Sequence, residues 1–357
     1  MTKQLLTAAH FFAAAMLFIM PVAAEQLPDP DGKPADLTKK VNVFIIMGQS
    51  NTLEMGHVRG DKEGSLEYAT KTEALYPFMV DDSGNWTVRK DVRNVHVMGS
   101  GGPGKNSVKR NDWLTVSGNK IGIEIGIGHH LGNALDEPVL ILKTAIGNRS
   151  LGWDLLPPDS PSYEFTDPKD GKTYIYAGYS QSPDRWEKGT EPKPIAWQAG
   201  LQYDGDVARA KAVLQNLVEF YPEATGYEVA GFLWWQGDKD RYNAGHAAMY
   251  EKNLVKLIAS LRQDFQAPRA KFVCATLGQT SKENAEGNEK PILEAMLAIS
   301  DATKYPELEG DVATVYTHPL SMGSSSNAHY GGNAKTYMNV GLAMGQAMVR
   351  LIKDPTR

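Results

Sequence analysis

The sequence predicts an α/β protein in which a five-stranded parallel sheet lies between two layers of helices. Short apolar runs rich in β-branched residues recur along the chain, as buried parallel strands require. Stretches with apolar residues at helical spacing separate these runs. The 357 residues are 42% hydrophobic and 22% charged, which is a globular composition on a chain long enough to bury a large core.

The first 24 residues have the pattern of a cleaved signal peptide rather than of a folded element. Lys3 supplies the positive start, an apolar stretch runs from Leu5 to Val22, and Val22-Ala23-Ala24 provides small residues before Glu25. The alternative is an uncleaved membrane anchor, which the small-residue site and the Pro-containing stretch that follows disfavour. We therefore expect a secreted or periplasmic protein with a polar lead-in over residues 25–40, and no membrane partner after cleavage.

The predicted strands and helices alternate within a domain spanning residues 41–353. The first strand is Val41–Met47, which ends at Gly48, and the later ones are Pro138–Ile146, Glu228–Trp235, Ala270–Leu277 and Val312–His318. Helical patterns cover residues 120–134, residues 204–221, a stretch around Tyr250–Leu261 and the last segment from Val340 to Leu351. Residues 154–198, rich in Pro, Gly, Asp and aromatics, predict a long surface insertion.

Charge and cysteine content exclude several classes of protein. The formal net charge of −5 argues against a nucleic-acid partner held through phosphate contacts. The single cysteine, Cys274, rules out an internal disulfide and a thiolate zinc cluster.

Three segments carry side chains suited to chemistry, and functional sites in parallel sheets form at the carboxyl ends of strands. Gly48-Gln49-Ser50-Asn51 follows the first strand, so Ser50 is a candidate nucleophile. The alternative is that Ser50 only caps a helix. Trp234-Trp235-Gln236-Gly237-Asp238 closes another strand, where the Gln236 amide could donate to an oxyanion. The alternative there is a buried glutamine bonded to the backbone.

The third segment, Ser325 to Gly332, lies just before the last helix and contains His329. A histidine in this loop could reach a serine that follows the first strand and act as a general base, because its pKa ordinarily lies near neutrality. The alternative is a loop histidine bonded to the backbone.

Together these segments resemble the SGNH hydrolase superfamily, and within it the sialate O-acetylesterase-like carbohydrate esterases of family six. GQSN matches the first block of the family, with Ser50 as nucleophile, and WWQGD resembles its WWQGE block, with Gln236 as an oxyanion donor. Ile121–Gly126 resembles the second block, with Gly122 as backbone donor, and the Ala-His-Tyr segment makes His329 the base.

The resemblance implies a flavodoxin-like sheet and a serine esterase that removes O-acetyl groups from carbohydrates. The implied reaction passes through an acyl-serine and requires no metal or organic cofactor. The implied partner is an acetylated carbohydrate.

One position departs from the family pattern. Ser326 stands three residues before His329, where the family has the aspartate that orients the imidazole. Asp238 could supply the missing carboxylate, or His329 could act with a backbone carbonyl or with Ser326. A third possibility is a non-catalytic carbohydrate-binding protein on the same fold.

Four further residues are candidate substrate contacts. Asn51 and Trp235 adjoin the motif residues, and Asn148 and Arg149 follow the second predicted strand at the same edge of the sheet. For Asn148 and Arg149 a solvated loop is an equally good interpretation.

Overall fold

The computed structural model describes residues 34–104 and 106–354. The signal peptide predicted for residues 1–24 and the first part of the lead-in fall outside the described residues. In the described part, the strands are β1 (Val41–Gly48), β2 (Gly56–His57), β3 (Arg89–Met98), β4 (Ser107–Leu114), β5 (Lys120–Ile121), β6 (Val139–Lys143), β7 (Tyr163–Thr166), β8 (Thr173–Tyr176), β9 (Arg185–Glu187), β10 (Tyr227–Trp235), β11 (Lys271–Ala275) and β12 (Val312–Val315).

The central sheet has the strand order β12-β11-β10-β1-β6-β3-β4. All neighbouring pairs are parallel except β3 and β4, which are antiparallel. The five predicted strands lie side by side within this sheet, so the predicted α/β class with a parallel sheet is confirmed. The sheet is larger than predicted, because β3 and β4 extend it beyond β6.

Helices cover both faces of the sheet. They are α1 (Glu124–Ala134), α2 (Leu201–Gln215), α3 (Leu217–Phe220), α4 (Ala244–Asp264), α5 (Glu289–Ala298) and α6 (Ala334–Lys353). Val43, Ile45 and Met47 of β1 pack into the core beneath α2, α4 and α5, whereas Phe44 and Ile46 pack beneath α1 and α6. Successive side chains of a strand point to opposite faces, so a strand covered on both sides is a continuous apolar run.

The insertion at residues 154–198 carries a small antiparallel sheet of its own, β7-β8-β9. Tyr176 at the end of β8 packs edge-on against His246 in the first turn of α4, with ring centroids 5.4 Å apart. The insertion is therefore attached to the domain near the carboxyl edge of the sheet. Within residues 34–104 and 106–354, no helix combines the length and apolarity that a membrane crossing needs.

Candidate active site

A pocket of about 420 Å³ opens at the carboxyl edge of the sheet, beside the end of β1. Four of the residues singled out in the sequence line it: Ser50, Asn148, Asp238 and His329. They come from four loops that are far apart in the chain. The turn Ser50–Thr52 and the segment Ser326–Gly332 are in contact, which brings the serine and histidine loops together.

Ser50 is the first residue of a tight turn that follows β1, and the conformation of Gly48 at the end of β1 allows this turn. Gly48 has a φ of 144°, and a Cβ there would lie 2.6 Å from the carbonyl oxygen of Trp235. Only glycine fits such a backbone and so close an approach. The chain then enters a 3₁₀ turn, in which the Thr52 hydroxyl donates to the Gln49 carbonyl at 2.6 Å. The turn leaves Ser50 half-buried at the pocket wall.

His329 lies in a run of residues with left-handed backbone conformation, and buried aromatic side chains contact this run. His329 and Tyr330 have φ values of 51° and 53°, which bulky residues adopt only where the surroundings impose them. The buried Tyr330 ring stacks on Trp235 with centroids 5.6 Å apart. The Tyr337 hydroxyl donates to the His329 carbonyl at 3.3 Å. The core thus fixes the backbone of the loop while the His329 side chain remains at the pocket.

Asp238 is a buried carboxylate that receives hydrogen bonds from the loops on either side of it. The Ser326 hydroxyl donates to Oδ1 at 2.6 Å, and Asn51 Nδ2 donates to Oδ2 at 3.1 Å. Arg241 Nε lies 3.0 Å from Oδ1 as an ion-pair partner. Burial raises the pKa of Asp238, and the Ser326 hydrogen bond, Arg241, Asn51 and the nearby His329 oppose that rise. Ser326, at the family's aspartate position, therefore contacts a carboxylate from another loop.

This charge balance predicts a pH effect. Arg241→Leu removes a cation that lowers the pKa of Asp238, so the carboxyl is expected to take up a proton at higher pH than in the wild type. We expect the ionised carboxylate to support catalysis, so the acid limb of the kcat/KM profile should move to higher pH. Ester hydrolysis measured from about pH 4 to 8 checks this, and Lys290→Leu, an exposed cation on α5, is the control. An acid limb at the wild-type position would contradict it.

Gly122 is not the oxyanion donor that the sequence suggested, and this is a correction. Its backbone N–H donates to Oε1 of the buried Glu124 at 3.0 Å, and Oε2 of that carboxylate accepts from Lys143 at 2.6 Å. Gly122 is also not among the residues that line the pocket. Its N–H is therefore occupied by an internal ion pair rather than presented to a substrate.

Gln236 requires the same correction. The side chain is fully buried, and its Nε2 lies 2.5 Å from Asp240 Oδ2 and 2.9 Å from the Arg149 carbonyl oxygen. Its Oε1 accepts from the Tyr250 hydroxyl at 2.9 Å. Both hydrogens of the amide have acceptors inside the protein, so the alternative of a buried, internally bonded glutamine describes this residue.

Trp235 and Asn51 do not reach the substrate pocket either. Trp235 is fully buried, and its Nε1 donates to the Thr276 carbonyl at 2.9 Å. Trp234 and Trp235 point to opposite faces of the sheet, and both are fully buried because helices cover both faces. Asn51 is also fully buried and bonds to Asp238. These two residues support the histidine loop and the carboxylate instead of contacting a sugar.

The remaining two predicted substrate contacts, Asn148 and Arg149, lie on the loop after β6 and point in different directions. Asn148 is exposed and lines the pocket. Arg149 turns away from it, because its Nη2 donates to the Ser100 hydroxyl at 2.7 Å and its guanidinium lies 4.8 Å from the Trp197 ring centroid. Arg149 therefore connects this loop to the end of the insertion.

Gly147 and Tyr242 also line the pocket, and the sequence analysis gave neither of them a role. Gly147 lines the pocket, and a Cβ on it would lie 3.5 Å from the Ser50 Cβ. Among the described residues, its backbone N–H donates to no protein atom. The sequence shows that Gly147 directly follows a predicted strand. It does not show that this strand, β6, lies next to β1 in the sheet. Tyr242, 66% exposed at the pocket, has no distinguishing sequence signal.

A serine, a histidine and a carboxylate in one pocket of a parallel sheet are the groups on which serine hydrolases rely. Residues 179–350, just under half of the chain, match the family described as carbohydrate esterase, sialic acid-specific acetylesterase. This match confirms the resemblance found in the sequence. The protein is a carboxylic ester hydrolase of the carbohydrate O-acetylesterase type. No curated protein sequence matches the chain.

Solved structures match this chain at low sequence identity. A carbohydrate acetylesterase from Xanthomonas citri has a TM-score of 0.51 at 13% identity, over 86% of this chain and 55% of that one. The chain thus spans about half the length of that enzyme, and the likeness shows a common fold. A protein of Arabidopsis thaliana (TM-score 0.48, 15% identity, 87% and 98% coverage) and NanS (TM-score 0.43, 14% identity, 82% and 79% coverage) also match.

Proposed function

We propose that the protein is a secreted serine esterase that removes acetyl groups from carbohydrates through an acyl-serine intermediate. The observation that carries the proposal is the presence of Ser50, His329 and Asp238 in the wall of one pocket, on loops that contact one another. The family of residues 179–350 supplies the substrate class.

His329 would take the proton of the Ser50 hydroxyl as its oxygen attacks the acetyl carbonyl. The tetrahedral intermediate then collapses, His329 returns the proton to the departing sugar oxygen, and acetyl-serine remains. Water attacks this ester in a second step, again with His329 as base, and releases acetate. Each proton taken up in one half-reaction is given back within it, so the enzyme ends unchanged.

The backbone N–H groups of Ser50 and Gly147 are the proposed oxyanion donors. Both residues line the pocket, on the loops that follow the neighbouring strands β1 and β6. N–H groups held in place before the reaction stabilise the developing negative charge without reorganisation. Asp238 is assigned the task of the family's missing aspartate, because its negative charge favours the imidazolium form of His329 in the transition state.

Export is the remaining part of the proposal, and it depends on residues 1–24. The positive start, apolar stretch and small-residue site support cleavage before Glu25. Sequencing of the mature N-terminus tests it: a protein that begins at Glu25 supports export, and one that retains Met1 in the membrane fraction contradicts it.

The acyl-serine mechanism is tested by trapping. An organophosphorus ester should label the protein once per chain, and mass spectrometry of the digest should place the adduct on Ser50. Acetate release from an O-acetylated carbohydrate should fall in proportion to labelling. A protein that binds the carbohydrate but takes up no label and releases no acetate would instead be the non-catalytic binding protein.

Tyr242 predicts a contact with the sugar. Its ring is 66% exposed at the pocket, and the Arg241 guanidinium lies 5.1 Å from its centroid. A tyrosine ring offers a large apolar face and a polar hydroxyl at its edge, and the apolar face can pack against the C–H face of a pyranose. Tyr242→Ala is expected to lower kcat/KM for an acetylated oligosaccharide about tenfold more than for p-nitrophenyl acetate, a loss of about 1.4 kcal/mol.

Steady-state kinetics on both substrates measure this difference, and Tyr242→Phe, which keeps the aromatic face, is the matched control. Equal losses on the two substrates would contradict a role of the ring in sugar binding.

A further inference from the structure

Asp240 is a buried carboxylate near the pocket that the mechanism above does not use. It is fully buried, although it is the first residue of the turn that also carries Tyr242. Among the described residues, no lysine or arginine forms an ion pair with it. Burial raises the pKa of Asp240, and the nearby His246 together with the hydrogen bonds that the carboxylate accepts oppose that rise.

Three N–H donors from two loops converge on Asp240. Oδ1 accepts from the Gly152 backbone N–H at 2.7 Å, and Oδ2 accepts from the Leu151 N–H at 2.9 Å. The Gln236 amide also donates to Oδ2, at 2.5 Å, and the same Nε2 lies 2.9 Å from the Arg149 carbonyl oxygen. Asp240 and Gln236 together therefore hold Arg149, Leu151 and Gly152.

The segment held in this way begins with the pocket residues of the same loop. Gly147 and Asn148 precede Arg149 directly, and both line the pocket beside Ser50. Asn148 has a φ of 59°, and its neighbour Gly147 makes no backbone hydrogen bond among the described residues. Asp240 binds the N–H groups of Leu151 and Gly152 at the other end of this loop. These hydrogen bonds therefore help to set the position of the Gly147 N–H.

We propose that Asp240 is a positioning residue that sets the oxyanion donor of the loop after β6. This inference rests on the proposed serine esterase function, and it gives Gln236 a supporting place beside Asp240 instead of the role of a direct donor. Because a donor acts only when it is aimed at the oxygen of the tetrahedral intermediate, a small displacement of the loop reduces transition-state stabilisation more than substrate binding.

The variant Asp240→Asn keeps the shape of the side chain and changes its hydrogen bonding. An amide has one acceptor oxygen, and its NH₂ group must face at least one of the three converging donors. We expect kcat for p-nitrophenyl acetate to fall by ~10²-fold while KM stays within about threefold, as for a misplacement of about 1 Å.

The specific readout is the preference for an oxygen ester over its thiono analogue. Sulfur accepts hydrogen bonds weakly, so an enzyme with an aimed oxyanion donor hydrolyses p-nitrophenyl acetate much faster than p-nitrophenyl thionoacetate. The ratio of the two kcat/KM values does not depend on the fraction of folded enzyme. In Asp240→Asn we expect this ratio to fall at least about tenfold.

Two further variants complete the test. Gln236→Met removes one donor to Asp240 without adding charge, and it is expected to lower the same ratio even if Asp240→Asn folds poorly. Asp91→Asn alters a buried carboxylate that pairs with Arg89 on β3, and it should leave the ratio at the wild-type value.

The outcomes separate this inference from the function on which it rests. An unchanged ratio in Asp240→Asn, with wild-type hydrolysis that depends on Ser50, would overturn the positioning role alone. A wild-type protein without hydrolysis would overturn both.

Discussion

Ser50→Ala is expected to lower kcat for p-nitrophenyl acetate by ~10⁴-fold or more, to the level left by transition-state binding alone. The hydroxyl is the only group that forms the covalent bond in the proposed reaction, and an alanine leaves water to attack without an acyl-enzyme. Steady-state rates of p-nitrophenol release, and the loss of labelling by an organophosphorus ester, measure this effect.

The fold should survive this change, because Ser50 is half-buried and its side chain makes no hydrogen bond among the described residues. Thr70→Val is a suitable control: it also deletes a hydroxyl, one that donates to the Leu66 carbonyl at 2.8 Å. We expect its kcat to remain within about threefold of the wild type. Substantial p-nitrophenol release by Ser50→Ala would eliminate Ser50 as the nucleophile.

Asp238→Asn is expected to lower kcat by at least ~10²-fold. The variant loses the negative charge that favours imidazolium in the transition state and that pairs with Arg241, and it keeps only one oxygen to accept from Ser326 and Asn51. Steady-state kinetics above the acid limb measure the loss, and a thermal unfolding curve separates it from loss of fold.

Moving the carboxylate back to the histidine loop gives a sharper form of the same prediction. Ser326→Asp alone places two carboxyl groups where a hydrogen bond of 2.6 Å now joins Ser326 to Asp238, so one pKa must rise and activity should fall. The double variant Ser326→Asp with Asp238→Asn restores one charge beside His329. We expect it to regain at least about tenfold of the kcat lost in Asp238→Asn; no recovery would mean that the carboxylate does not act through His329.

The central strands could be predicted because their composition is determined by burial on both faces. β1 and β6 are mostly apolar, with Asn42 and Lys143 as their polar residues, and such runs are typical of buried parallel strands. β3 was missed for a physical reason. It carries Arg89, Asp91 and Arg93, which are nevertheless buried because Arg89 pairs with Asp91 and Arg93 donates to backbone carbonyls. Pairing of this kind is invisible to hydropathy.

The candidate site shows a similar division. Ser50 and His329 could be singled out because each follows or precedes a recognisable element, and Asp238 because a carboxylate was missing elsewhere. Gly122 was assigned wrongly, since sequence alone cannot reveal that Glu124 already binds its N–H. Gly147 could not be found without the strand order, which places β6 next to β1. Long-range neighbours decide which of several similar loops faces the substrate.

The hydrogen bond between Ser326 and Asp238 has a consequence for how the site can be regulated. In a family member with the usual aspartate, the carboxylate and the histidine lie on one short loop and move together. Here Asp238 belongs to the loop after β10, and His329 belongs to a separate loop before α6 that the Ser326 hydrogen bond joins to it. In the proposed mechanism, a displacement of the histidine loop by a bound product or a neighbouring molecule would separate the imidazole from the carboxylate that stabilises its charged form, while Ser50 stays in place.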